Sequence, residues 1–285
     1  MGSAEGAGAR AAPRLTASEA IALTAARAPR SGFFFDFDGT LAAIGDDPAE
    51  VRPVAGALAA LDHLARHAVR LAIVSARPVG FLRSHFGQVP GITLHGLYGL
   101  ETMRPGEGVT TDPVAARWVP VVRDLVRRAS RELPAAFVED KRLSVALHYR
   151  RAPEQRAAVE SWADDAARRF GVRAQRGRMV VELRPPVERD KGTVVRAEIE
   201  DLACAWYFGD DVSDLRAFGA VTGRRSEGDG FVGVCVAVAN PETGAELAQA
   251  ADIVIESAEA VPAFLERVAA GLAPAPPAGG IGTGT

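Results

Sequence analysis

Residues 33–41 read Phe-Phe-Phe-Asp-Phe-Asp-Gly-Thr-Leu, an apolar run that ends on two carboxylates, Asp36 and Asp38. A wholly apolar run of this length predicts a strand buried on both faces. Burying an ionised carboxylate without a partner or a metal is strongly unfavourable. The strand should therefore end near Asp36, with both carboxylates emerging at its C-terminal edge onto a cation. In open α/β sheets that edge is where ligands bind.

The rest of the chain supplies the sheet. Strands are expected at 33–37, 70–75, 92–95, 204–209, 231–238 and 252–255. Helices are expected at 53–67, 78–86, 191–201, 212–219, 243–250 and 258–271, with a short one at 16–28 behind a capping box at Thr16 or Ser18. Such alternation predicts an α/β fold with a doubly wound, Rossmann-like parallel sheet. Residues 112–188 break the pattern and read helix, strand, strand, helix, strand, strand. Leu143, Val145, Leu147 and Tyr149 alternate with Ser144, Ala146, His148 and Arg150, while Met179, Val181 and Leu183 alternate with Val180, Glu182 and Arg184. Helices on one face and a polar opposite face describe a two-layer α+β cap laid over the strand ends. The expected organisation is a tail and short helix over 1–29, a core made of 30–111 and 189–271, the inserted cap over 112–188, and a disordered tail over 272–285.

Four segments fall at predicted strand ends or helix starts: Asp36-Phe-Asp38-Gly-Thr40, Ile73-Val-Ser75-Ala-Arg77-Pro, Arg189-Asp190-Lys191-Gly-Thr193 and Phe208-Gly-Asp210-Asp211-Val-Ser-Asp214. A doubly wound sheet brings all four to one edge. Clustered carboxylates suit a hard cation with oxygen ligands, magnesium above all. The Ser75 hydroxyl and the Lys191 ammonium suit phosphate oxygens. A carboxylate beside a bound phosphate is a competent nucleophile.

These motifs together resemble the haloacid dehalogenase-like phosphatase superfamily across the whole core. The resemblance implies a hydrolase in which Asp36 attacks phosphorus to form an aspartyl-phosphate. Asp38 protonates the leaving oxygen and then activates water. Mg2+ is held by Asp36, the Asp38 carbonyl and Asp210, with Asp214 behind them, and Ser75 and Lys191 steady the phosphoryl group. An acid at Asp38 should point its carboxylate away from the cation, which opposes protonation.

The cap resembles a narrower group. Val138-Glu-Asp-Lys-Arg-Leu-Ser-Val-Ala-Leu-His-Tyr-Arg150 and Val181-Glu-Leu-Arg-Pro185 are similar to the cap of trehalose-6-phosphate phosphatases. That resemblance implies that Glu139, Lys141 and Glu182 bind sugar hydroxyls, with Arg77, His148 and Arg150 also facing the substrate. A hairpin turn with solvated charges is the plainer reading of Glu139 and Lys141. Three departures concern substrate fit and rate: Ser-Ala-Arg at 75–77 where Ser-Gly-Arg is usual, Tyr98 in the loop 94–101, and Leu215 after Asp214. Phosphatases of the same fold acting on sucrose 6-phosphate or a glycosyl-phosphoglycerate remain open, as does a non-catalytic sugar-phosphate sensor or partner subunit.

Composition narrows the partners. The net charge of −3 over 285 residues gives no global case for nucleic acid. No apolar stretch approaches the roughly 18 residues of a membrane span, and the N-terminus lacks a secretory pattern. A cytoplasmic monomer acting on a small sugar phosphate is expected. Cys204 and Cys235 read as buried hydrophobes. Of 33 basic residues only Lys141 and Lys191 are lysine, which suggests sites where a compact ammonium fits and a planar guanidinium does not. His63 with His67 lacks a third metal ligand. The arginines 173, 176 and 178 lack interleaved aromatics, and Gly96 with Gly99 does not open a helix as a dinucleotide site requires.

Overall fold

The computed structural model describes residues 15–45, 47–177, 179–241 and 243–273. The outer parts of the two expected tails, 1–14 and 274–285, and Arg178 lie outside the described residues. In chain order the strands are β1 Ser31–Phe35, β2 Arg70–Val74, β3 Ile92–Gly96, β4 Glu101–Met103, β5 Thr110–Thr111, β6 Phe137–Asp140, β7 Val145–His148, β8 Arg173–Gly177, β9 Val180–Arg184, β10 Cys204–Gly209, β11 Val232–Val238 and β12 Ile253–Ile255. The helices are α1 Ala17–Ala25, α2 Ala57–Ala65, α3 Val79–Phe86, α4 Pro113–Ala116, α5 Val119–Glu132, α6 Arg156–Phe170, α7 Lys191–Glu198, α8 Leu215–Arg225, α9 Ala245–Ala250 and α10 Val261–Leu272.

The large sheet has the order β12-β11-β10-β1-β2-β3-β4-β5. It is parallel from β12 to β3. β4 and β5 add antiparallel at one edge; the sequence reading did not place them, since segments this short carry no periodicity. Alternation sends successive side chains to opposite faces. Phe33 and Phe35 join Trp206 and Phe208 in one core layer beneath α2, α3 and α10. Phe34 joins Tyr207 and Cys235 in the other, beneath α7 and α8. The aromatic contacts run across strands, with ring centroids 4.7 Å apart for Phe35 and Phe208.

The winding order reverses between the parallel strands β1 and β10. From β1 the order runs outward through β2 and β3; from β10 it runs the other way through β11 and β12. Such a switch point leaves a crevice at the carboxyl ends of the strands. Asp36 and Asp210 are the residues that follow β1 and β10.

The smaller sheet has the order β6-β7-β9-β8 and is antiparallel throughout. Val145, Leu147, Tyr149, Val181 and Leu183 pack with Leu125, Ala129, Val159 and Ala163 of α5 and α6. Leu143 departs from its expected row and packs instead with Leu97, Leu100 and Ala115 at the joint with the large sheet. On the opposite face, register aligns Phe137, His148 and Val180 in one row and Glu139, Ala146 and Glu182 in the next.

Several expected helices start later for local reasons. α2 starts after Gly56, whose φ of +83° is not helical. The stretches before α8 and α10 form single 3-10 turns at 212–214 and 258–260, and Pro262 near the start of α10 cannot donate a backbone hydrogen bond. α1 begins at the capping box of Thr16 and Glu19. No helix among the described residues is long and apolar enough to cross a membrane.

Candidate active site

Asp36 extends the ladder by one bond, its amide donating to the Phe208 carbonyl at 2.9 Å, and its side chain then turns into the crevice. Asp36, Asp210 and Asp214 are all buried, with one carboxylate oxygen of each within 4.8 Å of the others. The chain after Asp38 presses close: a Cβ on Gly39, whose φ is +81°, would lie 2.0 Å from Asp210 Oδ2. Only glycine fits that loop.

The acids are held unequally. Asp214 Oδ1 accepts from Lys191 Nζ at 2.7 Å and from Tyr207 Oη at 2.7 Å. Its Oδ2 accepts from the amides of Asp210 at 3.1 Å and Asp211 at 3.0 Å. Four donors saturate that carboxylate, which places Asp214 behind the crevice as a bracket for Lys191. Asp210 accepts from Thr40 Oγ1 at 3.2 Å and Asn240 Nδ2 at 2.8 Å. Burial, then the neighbouring acids, push Asp210 up to about 9. Burial and Asp214 raise Asp36 to about 7 against the pull of Lys191, whose Nζ lies 2.9 Å from Asp36 Oδ2. Carboxylates that burial drives toward protonation, with hard oxygen donors aimed at one point, form the donor set of a divalent-cation site.

Lys191 is 2% exposed. Burial alone would strip its proton, but Asp214 and Asp36 outweigh it and hold the ammonium charged. Two of its three donors are used, leaving one for an anion. Ser75 is buried, and its Oγ accepts from the Arg77 amide at 3.1 Å, so the hydroxyl proton is left for another acceptor. Asp38 stands apart from the acid cluster. Arg77 grips its carboxylate through Nε at 2.8 Å and Nη2 at 2.6 Å. The carboxylate is thus turned to Arg77 and not to the three-acid cluster. Arg77, expected on the substrate, also donates to the Pro48 carbonyl and lies over the Phe81 ring. Its guanidinium thus holds Asp38 at the wall of the cleft that Arg77 also lines.

Beside the small sheet, Lys141 is 8% exposed, so the solvated-turn reading fails for it. Its Nζ lies 3.6 Å from Glu182 and 4.0 Å from Glu139. Glu182 accepts from Ser144 Oγ at 2.5 Å. Glu139 lies 2.9 Å from His148 Nε2; burial opposes its ionisation, but His148 and then Lys141 hold it below the usual carboxylate range. A cleft between the two sheets is lined by Asp38 and Arg77 from the large-sheet side and by Glu139, Lys141, His148 and Arg150 from the small-sheet side.

Sequence reasoning missed Asn240 and gave Thr40 no role. Asn240 follows β11 at the same edge as Asp36 and Asp210, which is the signal that would have found it. His63 pairs with Glu266 at 2.6 Å and stacks beside His67 on the surface.

A family described as trehalose-phosphatase matches residues 34–251. The chain is 37% identical over 255 residues to the trehalose-phosphate phosphatase of Mycobacterium marinum, covering 86% of this chain and 63% of that one. It is 38% identical over 247 residues to that of Mycobacterium avium, covering 83% and 61%. The chain thus spans less than two thirds of these relatives. The C-terminal domain of C. albicans trehalose-6-phosphate phosphatase shares the fold with a TM-score of 0.73 at 23% identity, over 90% of this chain and 98% of that one.

Proposed function

The chain belongs to the trehalose-phosphatase family, and on that footing we propose that it hydrolyses trehalose 6-phosphate to trehalose and phosphate. The observation that carries this reading is the shared cleft: the acid–base candidate Asp38 shares one space with two sugar-binding candidates, the half-buried Glu139 and the buried Lys141, with Glu182 against Lys141 behind them. Two carboxylates and an ammonium satisfy hydroxyls that both donate and accept. In this reading residues 112–188 act as the cap.

Asp36 attacks phosphorus, forming an Asp–O–P bond as the bond to the sugar oxygen breaks. Asp38 gives that oxygen its proton. A water then attacks the acyl-phosphate, Asp38 takes the water's proton, and Asp36 is restored. Lys191 and Ser75 supply the donors to the phosphoryl oxygens. Asp36, the Asp38 carbonyl and Asp210 would hold Mg2+, which supplies positive charge beside the phosphoryl oxygens. A cytoplasmic location and a monomeric state belong to the same proposal.

The direct test is phosphate release from trehalose 6-phosphate with Mg2+, set against sucrose 6-phosphate and glucosyl-phosphoglycerate. Trehalose 6-phosphate is expected to be preferred at least about tenfold in kcat/KM. Preference for another ester would reassign the substrate, and release from none would favour a sensor.

Metal binding should also be visible in stability. Asp36 and Asp210 are raised from 3.8 to about 7 and about 9. A raised acid stabilises the fold fully below its unfolded value, and that contribution is lost as pH rises through the folded value. The metal-free protein should therefore lose stability from about pH 4 to about pH 9. Mg2+, which needs the ionised ligands, should raise Tm more at pH 8 than at pH 5. An equal shift at both, read by thermal melts, would place the cation elsewhere.

A further inference from the structure

We propose that Arg142 is a positioning residue that fastens the cap to the core, holding the Lys141 turn in register with the segment carrying Ser75 and Arg77. The turn between β6 and β7 is set locally. The Arg142 amide donates to Asp140 Oδ1 at 2.7 Å. The Lys141 amide donates to the Ser144 carbonyl at 3.0 Å, and the Leu143 amide to the Lys141 carbonyl at 2.8 Å. Consecutive side chains then leave in different directions. Lys141 turns to Glu182 and Glu139 within the cap. Arg142 crosses to the core, where its Nη2 donates to Glu101 Oε1 at 2.7 Å and Thr111 Oγ1 at 2.8 Å.

Glu101 makes this more than a surface pair. It is 5% exposed, and the Arg142 side chain, itself 53% exposed, reaches in to it from the surface. Its second oxygen accepts from the Val79 amide at 2.9 Å, the first residue of α3 and two beyond Arg77. The same segment is pinned from the neighbouring loop, with the Leu97 amide on the Arg77 carbonyl at 3.0 Å and the Tyr98 amide on the Ser75 carbonyl at 2.9 Å. One buried carboxylate therefore joins the sugar-side turn to the phosphate-side loop.

Backbone strain marks the same joint independently. Among the described residues, the non-glycine residues with positive φ are Leu97 at 51°, Tyr98 at 59°, Arg142 at 67° and Met179 at 59°. Three of the four flank this contact. Such conformations persist only where the surroundings over-determine them. Tyr98 is further covered by the cap's Arg184, whose guanidinium lies 4.0 Å over its ring.

The kinetic consequence rests on the proposed trehalose 6-phosphate activity; the geometric one does not. A lost fastener should leave each half-site intact but misaligned. Arg142→Ala is expected to lower kcat/KM for trehalose 6-phosphate by about 10- to 100-fold and that for p-nitrophenyl phosphate, which needs no cap contact, by less than about threefold. Arg142→Lys should recover part of the loss. Adding Arg142→Ala to Glu101→Gln should cost less than Arg142→Ala does alone, because the shared bond is already weakened. Fluorophores at exposed positions introduced on α6 and α2 should report a larger cap–core distance in Arg142→Ala and in Glu101→Gln, the native Cys204 and Cys235 being buried. An unchanged distance in both variants overturns the proposal whatever the kinetics, as does an equal loss on both esters. Should the wild type leave trehalose 6-phosphate untouched, the functional reading falls while the distance measurement still decides the fastener.

Discussion

Asp36→Asn should abolish phosphate release, by about 10,000-fold or more in kcat, without unfolding the protein. The two halves of that expectation share one cause. Asp36 is 5% exposed and one of three buried acids gathered within 4.8 Å. Burial and Asp214 push its carboxyl up to about 7, so at neutral pH the ionised form of this proposed nucleophile is held against its environment, with Lys191 at 2.9 Å as its counterweight. An amide keeps the shape and loses the nucleophile. It also removes a negative charge from a crowded cluster, while Lys191 keeps Asp214. The metal-free variant should thus melt no lower than the wild type, as expected where a site is built against stability. Thermal melts without metal and phosphate release with Mg2+ check both halves. Activity within tenfold of wild type would move the nucleophile elsewhere. A melt several degrees lower would show that the Asp36–Lys191 pair outweighs the acid–acid repulsion.

The same strand shows what could be read from sequence and what could not. Three consecutive phenylalanines and two aspartates announce a buried strand with a charged edge because burial and ionisation conflict locally. The partition of Phe33 and Phe35 from Phe34 into opposite layers follows from the two-residue repeat alone. On the cap, alternation likewise put Glu182 and His148 on one face. The pairings that finish the site join residues far apart in the chain, which no local pattern records. Asn240 reaches Asp210, and Arg77 grips Asp38. Glu101 lies in β4, too short to announce itself, and its link to Arg142 was invisible for that reason. The lysines were legible through the arginine bias: Lys141 and Lys191 are both buried against carboxylates, where a compact ammonium fits between two acids.

Glu182→Ala is expected to separate the sugar from the chemistry. Glu182 is 6% exposed and stands in the smaller sheet, whereas the proposed nucleophile Asp36 follows a strand of the large one. On the proposed reading its removal takes a charged acceptor from the substrate, and among the described residues it leaves Lys141 with Glu139, at 4.0 Å, as its carboxylate partner. A hydrogen bond to a charged group contributes about 1.5–3 kcal/mol, which at 1.36 kcal/mol per decade is about a 10- to 200-fold loss in kcat/KM for trehalose 6-phosphate. An ester with no sugar makes no such contact, so p-nitrophenyl phosphate turnover should fall by less than about threefold. Glu182→Gln retains an acceptor for Ser144 and should lie between. The fold will register some loss too, since Lys141 is left half-paired in a buried place, and melts of each variant keep that effect apart from the kinetic one. The contrast between the two esters is therefore the decisive quantity. Equal losses on both would mean that Glu182 supports the cap without touching sugar, and the substrate would have to be named by other residues.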